Sequence, residues 1–154
     1  MGVSRPVSFL RVDEAPSGER VLTQNVCREL VGMLESVVSS QIGTGKKAAI
    51  PGYRVSGKTG TAWKATAGGY STDRYMGVFG GVAPATNPRL AAVVVIDEPS
   101  GAQHQGGDVA APVFSAVVGG ALRLLAVAPD QVIGNPNDAE SEDSAMTLRT
   151  VARR

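Results

Sequence analysis

The chain has 154 residues, 43% of them hydrophobic and 19% charged, and a formal net charge of +1. That suffices for one domain with a real core, and the balanced charge argues against nucleic acid as a partner and against a polyanionic tail. One cysteine and one histidine, Cys27 and His104, exclude an internal disulfide and a His/Cys metal cluster.

Residues 1–18 read as an extended entry, with Val7, Phe9 and Val12 forming a short strand before a turn at Pro16 and Gly18. Arg5 and Pro6 leave no long apolar core there, so no signal peptide is expected. Residues 22–38 have a helical period, with Leu22, Val26, Leu30, Met33, Leu34 and Val37 on one face, Thr23 as cap and Gly43 past the end. Cys27 lies beside that stripe and reads as a small buried hydrophobe.

A polar, glycine-rich loop with Lys46 and Lys47 follows. Residues 53–64 alternate and carry Tyr, Val, Thr and Trp, which favours a strand. Gly68 and Gly69 make a turn, residues 75–82 a second strand, and residues 84–88 another turn. The apolar run 90–96 (LAAVVVI) is expected to be a central strand buried on both faces. Short connections make these strands an antiparallel meander.

Residues 109–125 are apolar nearly all round and predict a helix deep in the core, with Pro112 tolerated in its first turn. The stretch 109–128 is also about long enough to span a membrane, but Asp108, Ser115 and Arg123 favour the core helix. From residue 131 the chain turns polar and is expected to be a disordered tail. The fold class is thus α/β of the α+β type: an antiparallel sheet of at least three strands with helices packed on it.

Two motifs compete for the middle of the chain. Residues 52–59 (GYRVSGKT) fit the phosphate-binding P-loop, and Asp97 and Glu98 after an apolar strand resemble its magnesium-binding partner. A P-loop, however, must open a helix whose N-terminus holds phosphate. Here Gly60, Thr61 and Thr66 follow Lys58 and Thr59, all poor helix formers, with no apolar period of 3.6.

The second motif is Lys58-Thr59-Gly60, followed by residues 79–84 (FGGVAP), the strand 90–96, Gly106-Gly107, and residues 111–114 (APVF) opening an apolar helix. This order resembles the end of the transpeptidase domain of class B penicillin-binding proteins. Residues 96–99 (IDEP) and the GG…APVF helix look most like the division-specific branch that makes septal peptidoglycan. The resemblance runs from about residue 7 to about residue 130, so residues 1–130 are assigned to that domain and 131–154 to the tail.

The resemblance implies a β-lactamase/transpeptidase-like fold and a serine D,D-transpeptidase that cross-links stem peptides and is acylated by β-lactams. It implies no cofactor. Lys58, Thr59, Gly60 and Thr61 would bind substrate, with Lys58 also catalytic and the Thr61 backbone N–H forming half of an oxyanion hole. Implied partners are the rest of the transpeptidase domain and division membrane proteins, at the periplasmic face of the inner membrane, although no anchor is expected in this chain. No serine among the 154 residues has lysine three residues on or asparagine two residues on. The nucleophile and its partner motif therefore have no counterpart here, and the chain is expected to be a C-terminal fragment, a truncated product or one piece of a split domain. A non-catalytic peptide-binding module is the remaining alternative.

Several residues carry milder expectations. Trp63 either lines the groove or packs on the sheet edge. Tyr70, Asp73, Arg74 and Tyr75 read as a surface loop bordering the acceptor side, His104 as an exposed loop residue, and Asp97 and Glu98 as strand-end charges. Ser56 has no neighbouring base and is not taken as a nucleophile.

Overall fold

The computed structural model describes residues 2–131 of the chain. The expected tail, but for Gln131, lies outside the described residues. Two short strands, β1 (Val3–Ser4) and β2 (Glu19–Arg20), pair antiparallel near the start. Val7, Phe9 and Val12 form no strand; all three lie exposed between β1 and β2. Their alternation meets no partner strand, and period alone does not hold a strand in water.

Helix α1 (Gln24–Ser39) begins where the Thr23 hydroxyl accepts the Val26 N–H at 3.4 Å. That satisfies one of the donors a helix start leaves open. The expected boundaries hold to within two residues. The expected burial does not, because only Cys27 and Val38 are buried on α1, while Leu30 and Met33 remain 43% and 65% exposed. A single 3-10 turn (Lys46–Ala48) then leads into the sheet.

Strands β3 (Ser56–Thr66), β4 (Gly69–Ala83) and β5 (Leu90–Asp97) form one antiparallel sheet in that spatial order. This is the expected meander. β4 starts earlier than the sequence implies, so Tyr70, Asp73 and Arg74 belong to a long β3–β4 hairpin, irregular between Trp63 and Ala65, and not to a surface loop. β5 is an outer strand of this sheet. Leu90, Ala92, Val94 and Ile96 pack against the core, whereas Val93 and Val95 are 70% and 51% exposed. The expectation of a central strand buried on both faces is therefore corrected to an outer strand with one bare face.

The short helix α2 (Gly106–Val109) and helix α3 (Ala111–Leu124) cover the other face. Phe79 of β4 and Phe114 of α3 are both fully buried and meet edge to face, 4.9 Å between centroids. This is the arrangement ring quadrupoles favour, and the pair anchors the core. α3 buries Ala111, Phe114, Val118, Gly119 and Leu122 but exposes Val113, Val117 and Leu124. It is one-sided, not apolar-packed all round. Gly106–Leu124 is long and apolar enough to cross a membrane by length and composition alone, yet its buried stripe is seated on this sheet.

Beyond α3 the chain is tied back by Asp130. Its carboxylate accepts from the Arg54 N–H at 2.7 Å, the Thr86 N–H at 3.2 Å and the Thr86 hydroxyl at 2.7 Å. Asp130→Ala leaves these exposed donors to water and is expected to lower stability by about 0.5–1.5 kcal/mol, read as a shift of the urea midpoint. Arg54 also grips Glu35 of α1 with Nε and Nη2 at 2.6 and 2.7 Å. Hydrogen bonding to Glu35, then its charge, raises the guanidinium pKa above its ordinary value.

Candidate functional site

Lys58, Thr59, Gly60 and Thr61 run consecutively along β3, an outer strand of the sheet. They pair with Gly80, Phe79, Val78 and Gly77 of β4. Lys58 and Thr59 therefore continue an extended strand and open no helix, which removes the P-loop reading. Its second half falls too. Lys64 Nζ donates to Asp97 at 2.9 Å and to Glu98 at 2.6 Å, so both acids are strand-end ion-pair partners. Hydrogen bonds to Glu98, then Asp97, raise the Lys64 pKa.

Alternation along β3 separates the motif into two sides. Thr59 sits opposite the buried Phe79, on the face covered by α2 and α3. Thr61 shares that side, and its hydroxyl accepts the Gly106 N–H at 3.2 Å. Lys58 and Gly60 lie on the opposite, open face. Lys58 is exposed and, among the described residues, donates to the Thr59 carbonyl alone, at 3.0 Å. A Cβ on Gly60 would meet nothing nearer than the Val78 Cβ at 3.6 Å. The packing of this chain does not demand glycine there, so the room above Gly60 is left for something else.

Beside Lys58 the open face forms a shallow apolar groove of about 310 Å³, bordered by Leu34, Ser56, Gly80 and Val93. Ser56 is buried, and its hydroxyl donates to the Val31 carbonyl of α1 at 2.8 Å. It ties β3 to α1.

One contributor left no sign in the sequence. Thr44, in the loop after α1, brings its hydroxyl 2.9 Å from that of Thr59. Gly106 and Gly107 allow α2 to approach the strand: a Cβ on Gly106 would collide with the carbonyl oxygens of Val78 and Gly60, and one on Gly107 with that of Thr44. His104 is partly buried and stacks on Tyr75 with centroids 4.0 Å apart, which corrects its reading as an exposed loop residue. Trp63 is 59% exposed and does not border this groove. Cys27 is buried, as expected.

Comparison with known proteins gives a consistent picture. Residues 1–119 match the family model described as the penicillin binding protein transpeptidase domain. The chain is 45% identical over 138 residues to the peptidoglycan D,D-transpeptidase FtsI of Escherichia coli K12, covering 89% of this chain and 23% of that protein. It is 41% identical over 128 residues to the probable peptidoglycan D,D-transpeptidase PenA of Neisseria meningitidis serogroup A, covering 83% and 22%. The apo transpeptidase domain of Burkholderia pseudomallei penicillin-binding protein 3 superposes with a TM-score of 0.75 at 47% identity, covering 84% of this chain and 40% of that one. The chain thus spans under a quarter of the length of these curated relatives.

Proposed function

The chain belongs to the penicillin-binding protein transpeptidase family, and on that premise we propose that it supplies the substrate-gripping strand of a serine D,D-transpeptidase. The observation that carries this reading is the two-sided motif on an outer strand. Two threonine hydroxyls stand on one side, and on the other stands Lys58 with bare space beside it over Gly60.

The chemistry is acyl transfer. A serine Oγ attacks the carbonyl of the penultimate D-alanine, the terminal D-alanine leaves as the amine, and an acyl ester remains. An amine of a neighbouring stem peptide then takes the acyl group. A β-lactam presents the same carboxylate and stops at the ester. The Thr59 and Thr61 hydroxyls donate to the terminal carboxylate of the substrate, a charge-assisted pairing stronger than a neutral one. Lys58 faces the groove on the open side and acts on the serine, where its charge favours the alkoxide and eases proton transfer. The Thr61 N–H takes the developing oxyanion, with the serine's own N–H as the other donor.

The serine and its partner motif come from the rest of a transpeptidase domain, which covers the open face. Val93 and Val95 of β5 and Leu30 and Met33 of α1 are the exposed apolar groups it would bury. At 40% coverage of the solved domain, most of that domain lies outside the matched part. The setting is septal cell-wall synthesis on the periplasmic side of the inner membrane, with division proteins as further partners.

The test replaces the matched part of the B. pseudomallei domain with residues 2–131 of this chain. The fused domain is expected to be labelled by fluorescent penicillin on a denaturing gel. An unlabelled but cooperatively folded fusion would reject the proposal.

A further inference from the structure

A hydroxyl carries one proton and two lone pairs. When a donor occupies a lone pair from behind, the hydroxyl's own proton is free to point forward. Thr61 is held this way, because the Gly106 N–H donates to its Oγ1 at 3.2 Å. Thr59 has the same kind of neighbour in Thr44, with 2.9 Å between the two hydroxyl oxygens.

The geometry points to Thr44 as a positioning residue: its O–H donates to Thr59 Oγ1 and so directs the Thr59 proton toward the substrate carboxylate. The inference deepens the proposed function and rests on it. Of the two possible directions of this hydrogen bond, only this one leaves Thr59 able to donate to an anion. Hydrogen bonds in such a chain polarise one another, so the Thr59 proton also becomes a better donor.

Thr44 is held firmly enough for this. Its loop is tied to α1 by the Gly45 N–H on the Val37 carbonyl at 2.9 Å. Lys47, three residues on, forms an ion pair of 2.8 Å with Asp108 of α2. Gly107 packs its Cα against the Thr44 carbonyl so closely that a side chain would collide there. The backbone of α2 thus fixes both supports, directly through Gly106 for Thr61 and through the Thr44 loop for Thr59.

The test uses the fused transpeptidase domain and compares a penicillin carrying its free carboxylate with the same penicillin as its methyl ester. Thr44→Val keeps the shape and removes the donor. It is expected to slow acylation by the free acid about tenfold, the weight of one hydrogen bond to a charged group, and by the ester less than about twofold. Thr44→Ser should restore the free-acid rate. In a Thr59→Val background, Thr44→Val should cost nothing further, since coupled residues are not additive. Equal losses for acid and ester, or no loss for either, would overturn the inference while leaving the family reading intact. A wild-type fusion that folds without reacting would remove the reading and the inference together. A second measurement needs no fusion: with the chain alone, acetyl-D-alanyl-D-alanine should shift the Thr59 methyl resonance in wild type and Thr44→Ser more than in Thr44→Val. Equal shifts in all three would count against Thr44.

Discussion

Incubated by itself with fluorescent penicillin and run on a denaturing gel, this chain should give no labelled band at 15.8 kDa. Covalent labelling needs a serine activated by a neighbouring base. No serine here has lysine three residues on, and Ser56, the serine beside the motif, is buried with its proton committed to the Val31 carbonyl. Lys58 does not rescue it, because Lys58 projects on an exposed stretch and donates to its own neighbour's carbonyl. A strand edge with two hydroxyls and one cation can hold a carboxylate without opening a lactam. A labelled band that survives boiling would mean that another nucleophile exists.

In the fused domain, Lys58→Ala should lower the second-order acylation rate by roughly a hundred- to a thousandfold, the range seen when one preorganised electrostatic group is lost from an acyl-transfer site. The effect should fall on the chemical step. Lys58 occupies the open face beside Gly60, opposite the side where Thr59 and Thr61 would hold the carboxylate. Its charge is therefore closer in role to the attacking oxygen than to the bound anion. Folding should hardly change, since the side chain is exposed and makes one hydrogen bond to Thr59. An unchanged urea midpoint with a collapsed rate is the expected pair of results. A rate within about threefold of wild type would make Lys58 an ordinary strand lysine, a smaller cost than one unit of such stabilisation.

What the sequence disclosed followed local rules. Gly60, Thr61 and Thr66 disfavour the helix a P-loop requires, and β3 runs through them. Thr23 caps α1 where its type predicts. The α+β class and the meander also follow from period and turn residues.

The misreadings have a common physical origin. Residues 90–96 have the composition of a strand buried on both faces, yet Val93 and Val95 stand in solvent. The apolar stripe of α1 is similarly real and similarly bare, with Met33 65% exposed. Composition records the whole set of neighbours a segment is suited to, and the described residues provide only one side of them. Both bare surfaces are what the rest of a transpeptidase domain would cover. Thr44 and the part played by Gly106 escaped notice for another reason. Their contacts with Thr59 and Thr61 join residues 15 and 45 positions apart, and no local pattern marks such a pair. The Gly106-Gly107 doublet was the one available signal, because adjacent glycines at a helix start mark close backbone approach.

The most direct measurement is a crystal structure of the fused domain acylated by a penicillin. The ligand carboxylate should lie within hydrogen-bonding distance of the Thr59 and Thr61 hydroxyls, and the acyl carbonyl oxygen about 2.7–3.1 Å from the Thr61 nitrogen. A carboxylate turned away from both threonines, with β3 making no contact to the ligand backbone, would contradict it.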